Sequence, residues 1–103
     1  MNDLSQQITL QTVLIPNPNL FLREENNRGG ILFDPDTGSV RILNTTAAET
    51  WKLLDGRRSL TEVIKALEQT FDGLDASAEA KLLELVRQLF RAGAVTLPVE
   101  NVS

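Results

Sequence analysis

The stretch that decides the fold reads Gly30-Ile-Leu-Phe-Asp-Pro-Asp-Thr-Gly-Ser-Val-Arg-Ile-Leu-Asn44. Two short apolar runs flank Pro35-Asp-Thr-Gly38, in which proline favours the first central position of a turn and glycine supplies a left-handed backbone conformation. The stretch therefore predicts two antiparallel strands, at about 31–34 and 39–43. The turn also sets the register, which places Asp34 opposite Ser39.

This register predicts which side chains share a face of the hairpin. Neighbouring strand residues point to opposite faces, and directly opposed residues share one. One face then carries four large apolar side chains, Ile31, Phe33, Val40 and Ile42, and the other carries Leu32 and Arg41. We expect the face with the four apolar side chains to be the core face.

The hairpin leads directly into a helix with two candidate N-caps, Asn44 and Thr46. Thr46 is followed three residues later by Glu49, which is the spacing of a capping box. Gly56 ends this helix. Ala47, Trp51 and Leu54 are spaced as one buried stripe, so we interpret the single tryptophan as a core residue rather than a ligand-stacking one.

Two further helices follow. Ser59-Leu-Thr-Glu62 is a second capping-box pattern, and Asp72-Gly73 ends the second helix. The third helix runs from Asp75 or Ser77 to Ala92. Its apolar residues span an arc of roughly 160°, wider than one core face requires. Ala78 and Leu85 lie on one margin of that arc, so the helix is either sunk deeply between neighbours or leaves an exposed groove for a partner.

A strand at about Leu20–Glu24 precedes the hairpin, and a last short strand at 94–97 follows the third helix. A three-stranded antiparallel sheet followed by three helices predicts an α+β winged helix-turn-helix domain over residues 18–97. Residues 98–103 are predicted to be a C-terminal tail. Residues 1–17 are predicted to be a flexible segment or an extra strand. Because such a strand can pair within the chain or with a second copy, the expected state is a monomer or a strand-exchanged dimer.

The composition excludes many kinds of chemistry. The 103 residues include no histidine and no cysteine, which removes imidazole bases, thiol nucleophiles and Cys/His metal sites. We therefore predict no catalytic residues, no metal, no cofactor and no enzymatic activity. The chain has neither the features of a signal peptide nor a run of about 18 apolar residues, so we expect a cytoplasmic protein without a membrane partner.

Several stretches, taken in order, resemble the PqqD family, whose members are also called RiPP recognition elements. They are Gly30-Ile-Leu-Phe33, Leu43-Asn-Thr-Thr-Ala-Ala48 with Trp51 and Asp55-Gly56, Ser59-Leu-Thr-Glu-Val-Ile64, and Leu89-Phe-Arg-Ala-Gly-Ala-Val95. The hairpin turn is longer than in many members that serve pyrroloquinoline quinone synthesis. The resemblance therefore implies the fold and the general role rather than that pathway.

The resemblance implies a precursor-peptide chaperone. Such domains bind the leader of a ribosomally synthesised precursor peptide as an added strand, in the cleft between the third strand of the sheet and the third helix. They present it to a modifying enzyme, often of the radical S-adenosylmethionine type. On this basis we expect the peptide to contact residues of that strand and that helix: Val40, Arg41, Leu43, Lys81, Leu82 and Leu85. Arg41 and Lys81 are candidates to pair with acidic leader residues.

A winged helix-turn-helix also suggests an alternative function, DNA-binding regulation, in which the third helix enters the major groove. The charge opposes this alternative. The chain has a formal net charge of −4, and the third helix balances Lys81, Arg87 and Arg91 against Asp75, Glu79 and Glu84. Nucleic-acid binding requires a basic surface to neutralise phosphates, so we expect no nucleic-acid partner.

Overall fold

Three helices and a three-stranded antiparallel sheet share one hydrophobic core in the computed structural model, which describes residues 4–25, 29–71 and 76–98. In chain order the elements are a 3-10 turn (Leu4–Gln7), β1 (Ile15–Pro16), β2 (Phe21–Glu24), β3 (Gly30–Phe33), β4 (Val40–Leu43), α1 (Thr45–Leu53), α2 (Leu60–Thr70), α3 (Ala78–Arg91) and β5 (Val95–Thr96). The sheet has the order β2-β3-β4, and β1 pairs with β5 in a separate ribbon. The predicted α+β winged helix-turn-helix is confirmed.

The hairpin between β3 and β4 has the predicted register, with Phe33 opposite Val40 and Ile31 opposite Ile42. Its turn is closed by Asp34, whose carbonyl accepts from the Gly38 N–H at 2.8 Å and whose N–H donates to the Ser39 carbonyl at 2.9 Å. Gly38 has a φ of 76°, the left-handed conformation that the sequence predicted for it.

The predicted core face of this hairpin is wrong. Leu32 and Leu43 are buried, whereas Phe33, Val40 and Ile42 are exposed on the opposite face. The reason lies at the end of β4, where Asn44 caps α1 directly after the strand. Because α1 starts there, it packs on the side of the sheet that carries Leu43 and Leu32. The position of the helix therefore decides which face is buried, although the other face has more apolar residues.

Local capping signals set the helix starts. The Asn44 side chain accepts a hydrogen bond from the Ala47 N–H at 2.8 Å, so Asn44 is the cap of α1 and Thr46 lies inside the helix. Ser59 and Glu62 form the predicted reciprocal capping box at the start of α2. The helices then contribute the buried stripes of the core, including Val63 and Val86.

The described part of the N-terminal segment packs onto the domain. Ile8 and Leu14 are fully buried. The guanidinium of Arg87 on α3 donates to the Ser5 and Ile8 carbonyls at 3.2 and 3.0 Å. β1 pairs with β5, so a short extra strand forms within the chain. The division of the chain at residues 17 and 98, and a monomeric or strand-exchanged state, stay predictions.

Candidate functional site

One edge of β4 has no strand partner within the described part of the chain. The hydrogen bonds of the sheet identify which backbone groups lie there. The Asp34 N–H bonds to Ser39, and the Glu25 N–H bonds to the Gly29 carbonyl at 2.9 Å. Since bonded and non-bonded pairs alternate in antiparallel ladders, even-numbered residues of β3 bond to β4 and odd-numbered ones bond to β2. The N–H and C=O groups of Val40 and Ile42 therefore face the free edge.

The two faces of β4 differ in character. Arg41 and Leu43 share the helix side of the sheet, because they lie opposite Leu32 and Gly30, which are both buried. Leu43 is itself buried in the core, and Arg41 is exposed. Val40 and Ile42 point to the outer side of the sheet and are exposed.

A cavity of about 370 Å³ begins where β4 ends. Its walls come from all three helices: Asn44, Thr46, Ala47 and Thr50 at the start of α1, Ile64 and Leu67 from α2, and Ala78, Lys81, Leu82 and Leu85 from α3. Lys81 is the only charged residue among these lining residues. The margin of α3 that carries Ala78 and Leu85, for which the sequence left both burial and an exposed groove open, forms one wall of the cavity.

The polar groups of the cavity are mostly satisfied within the helices. The buried Thr50 hydroxyl donates to the Thr46 carbonyl at 2.8 Å, and the Asn44 carboxamide oxygen is used in capping. Lys81 forms no ion pair within the described residues, and neither does Arg41 at the neighbouring strand. The cavity is therefore mainly apolar with one cationic group in its wall, which suits an aliphatic side chain accompanied by an acidic one.

The structure brings together three of the six residues predicted for the site. Lys81, Leu82 and Leu85 line the cavity, and Arg41 lies on the same side of the sheet. Val40 points to the outer side and reaches the free edge through its backbone. Leu43 is a core residue beneath that edge.

The residues of α1 and α2 that line the cavity were not among the site residues predicted from the sequence. Ile64 and Leu67 have the helical spacing of ordinary core residues, and Ala47 belongs to the buried stripe predicted for α1. Periodicity identifies which side of a helix is apolar, but it does not distinguish a packed core from the wall of a cavity. The signal for Asn44 was present, because its role as a cap places it at the junction between the strand and the helix.

A second cleft of about 520 Å³ lies on the helix side of the sheet at its opposite edge, beside β2. Glu24, Lys52 and Asp55 are among its lining residues. The Lys52 ammonium pairs with Glu24 and with Glu49, and hydrogen bonds to these two carboxylates raise the pKa of Lys52. The backbone N–H groups of Arg57 and Arg58 donate to the Asp55 carboxylate and lower its pKa. The charged residues among the lining of this cleft are thus paired, whereas the one charged residue that lines the cavity at β4 is not paired within the part of the chain that the structure describes.

Two kinds of feature are missing from the part of the chain that the structure describes. It contains no group of three or more acidic, histidine or cysteine side chains placed to hold a metal ion. None of its helices has both the length and the apolar character that crossing a membrane requires.

Comparisons with known proteins agree with this architecture. The chain matches no curated protein, but the family model for coenzyme PQQ synthesis protein D (PqqD) matches residues 29–95. Two solved structures are similar in fold. The PqqD truncation of Methylobacterium extorquens PqqCD, described as a functional, stand-alone RiPP recognition element, has a TM-score of 0.72 and 23% identity, covering 90% of this chain and 98% of that one. TbiB1 in complex with the TbiA(beta) leader peptide has a TM-score of 0.66 and 16% identity, covering 86% of this chain and 98% of that one. The family match extends from the glycine before β3 to the start of β5, and on that basis the chain belongs to the PqqD family.

Proposed function

We propose that this chain binds the leader segment of a ribosomally synthesised precursor peptide and holds it for a modifying enzyme. One observation carries the proposal: the free edge of β4 lies beside a mainly apolar cavity that has one cationic residue, Lys81, in its wall. An extended peptide that pairs with this edge has alternate side chains on the helix side of the sheet, where the cavity opens. The complex of the similar protein TbiB1 with a leader peptide supports this choice of ligand.

The energetics explain why both the edge and the cavity are needed. Val40 and Ile42 offer two donors and two acceptors, and four hydrogen bonds at about 0.5–1.5 kcal/mol each give about 2–6 kcal/mol. Ordering five residues of a flexible leader costs about 5–10 kcal/mol at 1–2 kcal/mol per residue. Backbone pairing alone is therefore insufficient. Each apolar side chain buried in the cavity adds about 1.5–3 kcal/mol, so affinity and selectivity depend on these anchors.

Each predicted site residue has a role in this proposal. Leu82 and Leu85 contact the apolar anchor, and Arg41 and Lys81 attract an acidic leader residue. The backbone of Val40 pairs with the peptide, while the buried side chain of Leu43 holds β4 against the helices. In this proposal the chain binds the peptide in the cytoplasm, catalyses no reaction itself and needs no cofactor. Its enzyme partner is of the radical S-adenosylmethionine type or another peptide-modifying class.

The alternative of DNA binding finds less support. The Arg87 guanidinium, one of three cations on α3, is directed to the Ser5 and Ile8 carbonyls. Lys81 lies in the wall of the cavity. A recognition helix needs such cations at the phosphates.

The test is a titration of isotope-labelled protein with synthetic leaders taken from short precursor genes beside the gene for this chain. Backbone amide shifts should concentrate at Val40–Leu43 and at residues 78–86, leaving Phe21–Glu24 unchanged. Shifts confined to other regions, or no binding to any leader, would contradict the proposal. Duplex DNA serves as a control, because binding that weakens steeply with salt would favour the regulator instead.

A matched pair of variants on α3 separates binding from folding. Leu85 and Leu83 are both partly buried leucines that pack against the core, but only Leu85 lines the cavity. Leu85→Glu should weaken leader binding by tenfold or more, about 1.4 kcal/mol, because it removes an apolar contact and adds a charge. Leu83→Glu should leave binding unchanged. Equal losses in the two variants, at equal stability, would remove the cavity from the proposed site.

A further inference from the structure

The outer side of the sheet carries an apolar surface that the proposed leader site does not use. Its residues form two rows across the strands. One row is Phe21, Phe33 and Val40, and the other is Arg23, Ile31 and Ile42. We call these six residues the outer face. Both rows end at the free edge of the sheet with a β-branched aliphatic residue.

Exposure on the outer face is greatest at that edge. Ile42 is 83% exposed and Val40 is 62% exposed, whereas Phe33 in the central strand is 39% exposed. A central residue is flanked by side chains of both neighbouring strands, but Val40 and Ile42 have a neighbour on one side only. Phe21 at the opposite edge is 60% exposed, so apolar surface is uncovered at both edges, and it is most exposed at Ile42, next to the position of an added strand.

The backbone geometry connects this surface with the proposed binding mode. Val40 and Ile42 are the two residues whose N–H and C=O groups face the free edge. In an antiparallel pair, residues that exchange hydrogen bonds lie directly opposite each other and place their side chains on the same face, with Cβ atoms about 4.5–5.5 Å apart. Peptide residues that bond to Val40 and Ile42 thus have side chains beside theirs on the outer face.

We propose that the captured peptide segment is apolar on its outward side as well as at its cavity anchor, and that Val40 and Ile42 select these outward residues. This inference rests on the proposed strand addition. The preferred ligand class is an extended segment with aliphatic or aromatic side chains at two positions separated by one residue, in phase with Val40 and Ile42. The intervening residue points to the helix side, near Arg41. A polar outward residue would leave Ile42 uncovered and lose the cross-strand contact, at a cost of about 1.4-fold to fivefold in affinity per pair.

A second copy of this chain is a less suitable occupant of the edge. If two β4 strands pair antiparallel so that Val40 of each copy bonds to Ile42 of the other, Arg41 lies directly opposite Arg41 of the second copy. Like charges directly opposed across strands are destabilising. A peptide with an acidic or neutral residue at that position avoids this repulsion.

The test selects binders from a displayed library in which seven consecutive residues are random. Enriched peptides should have apolar residues at alternate positions, on the side that faces outward beside Val40 and Ile42, in addition to the inward anchor. When the same library is selected for binding to the double variant Val40→Thr/Ile42→Thr, the preference for an apolar inward residue should remain. The preference for apolar outward residues should be lost. Threonine preserves β-branching, so the strand itself is retained.

The control variant is Phe21→Thr. Phe21 is 60% exposed, close to the value for Val40, and lies on the same face but on the strand farthest from the free edge. In a double-mutant cycle with one selected peptide, serine at an outward position should couple to Ile42→Thr by about 1.4-fold to fivefold and to Phe21→Thr by less than 1.2-fold.

The outcomes separate this inference from the function on which it rests. Enriched peptides that perturb β4 but show polar or random outward positions would overturn the inference and leave the proposed function intact. A library that yields no binder at β4, together with absent leader binding, would overturn both. Concentration-dependent dimerisation that is lost in Val40→Thr/Ile42→Thr and is not displaced by peptide would assign the outer face to a second copy and overturn the inference.

Discussion

The two edges of the sheet differ in what lies beside them. The alternation of hydrogen bonds shows that the backbone N–H and C=O groups of Leu22 and Glu24 face the free edge of β2. Those of Val40 and Ile42 face the free edge of β4 in the same way. Beside β2, however, Lys52 of α1 forms an ion pair with Glu24 of the strand and a second one with Glu49 of its own helix. Beside β4 the lining has one charged residue, Lys81, which forms no ion pair within the described residues. Proteins commonly protect sheet edges with charged side chains, and β4 carries only one, Arg41, so this edge is a candidate for strand addition.

The largest effect that we expect to separate the two edges comes from proline. Ile42→Pro removes an N–H that faces the free edge and leaves the ladder to β3 intact. Leader binding should fall by about 1–3 kcal/mol, a factor of about 5–150, because one or two hydrogen bonds are lost and the ring obstructs the added strand. Fluorescence polarisation with a labelled leader measures the change.

Glu24→Pro on β2 is the matched control for this experiment. Its N–H faces the other edge, so leader affinity should stay within twofold of the unaltered protein. If Glu24→Pro weakens binding as much as Ile42→Pro does, the two edges are not functionally different and the comparison fails.

The next largest effect tests the unpaired cation. Lys81→Glu should weaken binding of a leader that carries an acidic residue by about 0.4–2 kcal/mol, because an exposed attraction of about 0.2–1 kcal/mol is replaced by a repulsion of similar size. The loss should shrink when the salt concentration rises or when the acidic residue is replaced by its amide. Lys65→Glu on α2, outside the cavity lining, should have no effect. Equal effects of the two changes would indicate net charge rather than a local contact.

A smaller effect follows from making the cavity at β4 resemble the cleft at β2. Asn44→Asp keeps a good N-cap for α1 but adds a negative charge to the cavity wall. The unfolding free energy should be unchanged, while affinity for an acidic leader falls by about 0.2–1 kcal/mol. Asn44→Ala should lower the unfolding free energy by about 0.5–2 kcal/mol instead. Chemical denaturation and peptide titration on both variants distinguish the two roles, and a stability loss in Asn44→Asp would contradict this assignment.

Local signals made much of the fold predictable. The turn Pro35–Gly38 determines the register of the hairpin, and the capping box at Ser59 determines the start of α2, because both depend on residues within one turn. The choice of core face was wrong because it depends on where the helices pack. Ile42 is an apolar strand residue by every local measure, yet it is exposed on the side of the sheet opposite to the buried Leu43.

The site was predictable only in part for the same reason. The wide apolar arc of α3 drew attention to Leu85, because an apolar face wider than one core contact requires is either buried between neighbours or part of a groove. The opposite walls of the cavity, from Ile64 and Leu67, look like ordinary core positions in the sequence. Their separation from α3, which leaves the cavity, is a property of how the helices pack.

The smallest effect is a difference in pH dependence between the two edges. Asp55 belongs to the cleft beside β2, where its carboxylate accepts from the N–H groups of Arg57 and Arg58 at 2.9 and 3.0 Å. These bonds lower the pKa of Asp55 below its ordinary value near 3.8. A carboxyl group with a lowered pKa in the folded state contributes stability that is present above the unfolded-state pKa and is lost as pH falls through the folded-state pKa. The stability that the Asp55 carboxylate contributes beside β2 should therefore be lost as the pH falls below about 4.

Denaturation by urea between pH 7 and pH 2.5 checks this, with Asp55→Asn as the comparison. Asparagine keeps the acceptor oxygen but does not titrate, so the variant should lose less stability in acid than the unaltered protein. At the other edge, Asn44 already holds the start of α1 with an uncharged side chain. Amide exchange at the start of α1 should accordingly change less between pH 4.5 and pH 3 than exchange at Arg57 and Arg58, after correction for intrinsic rates. An equal change at both places would mean that acid acts on the whole domain and that the charges beside β2 have no local role.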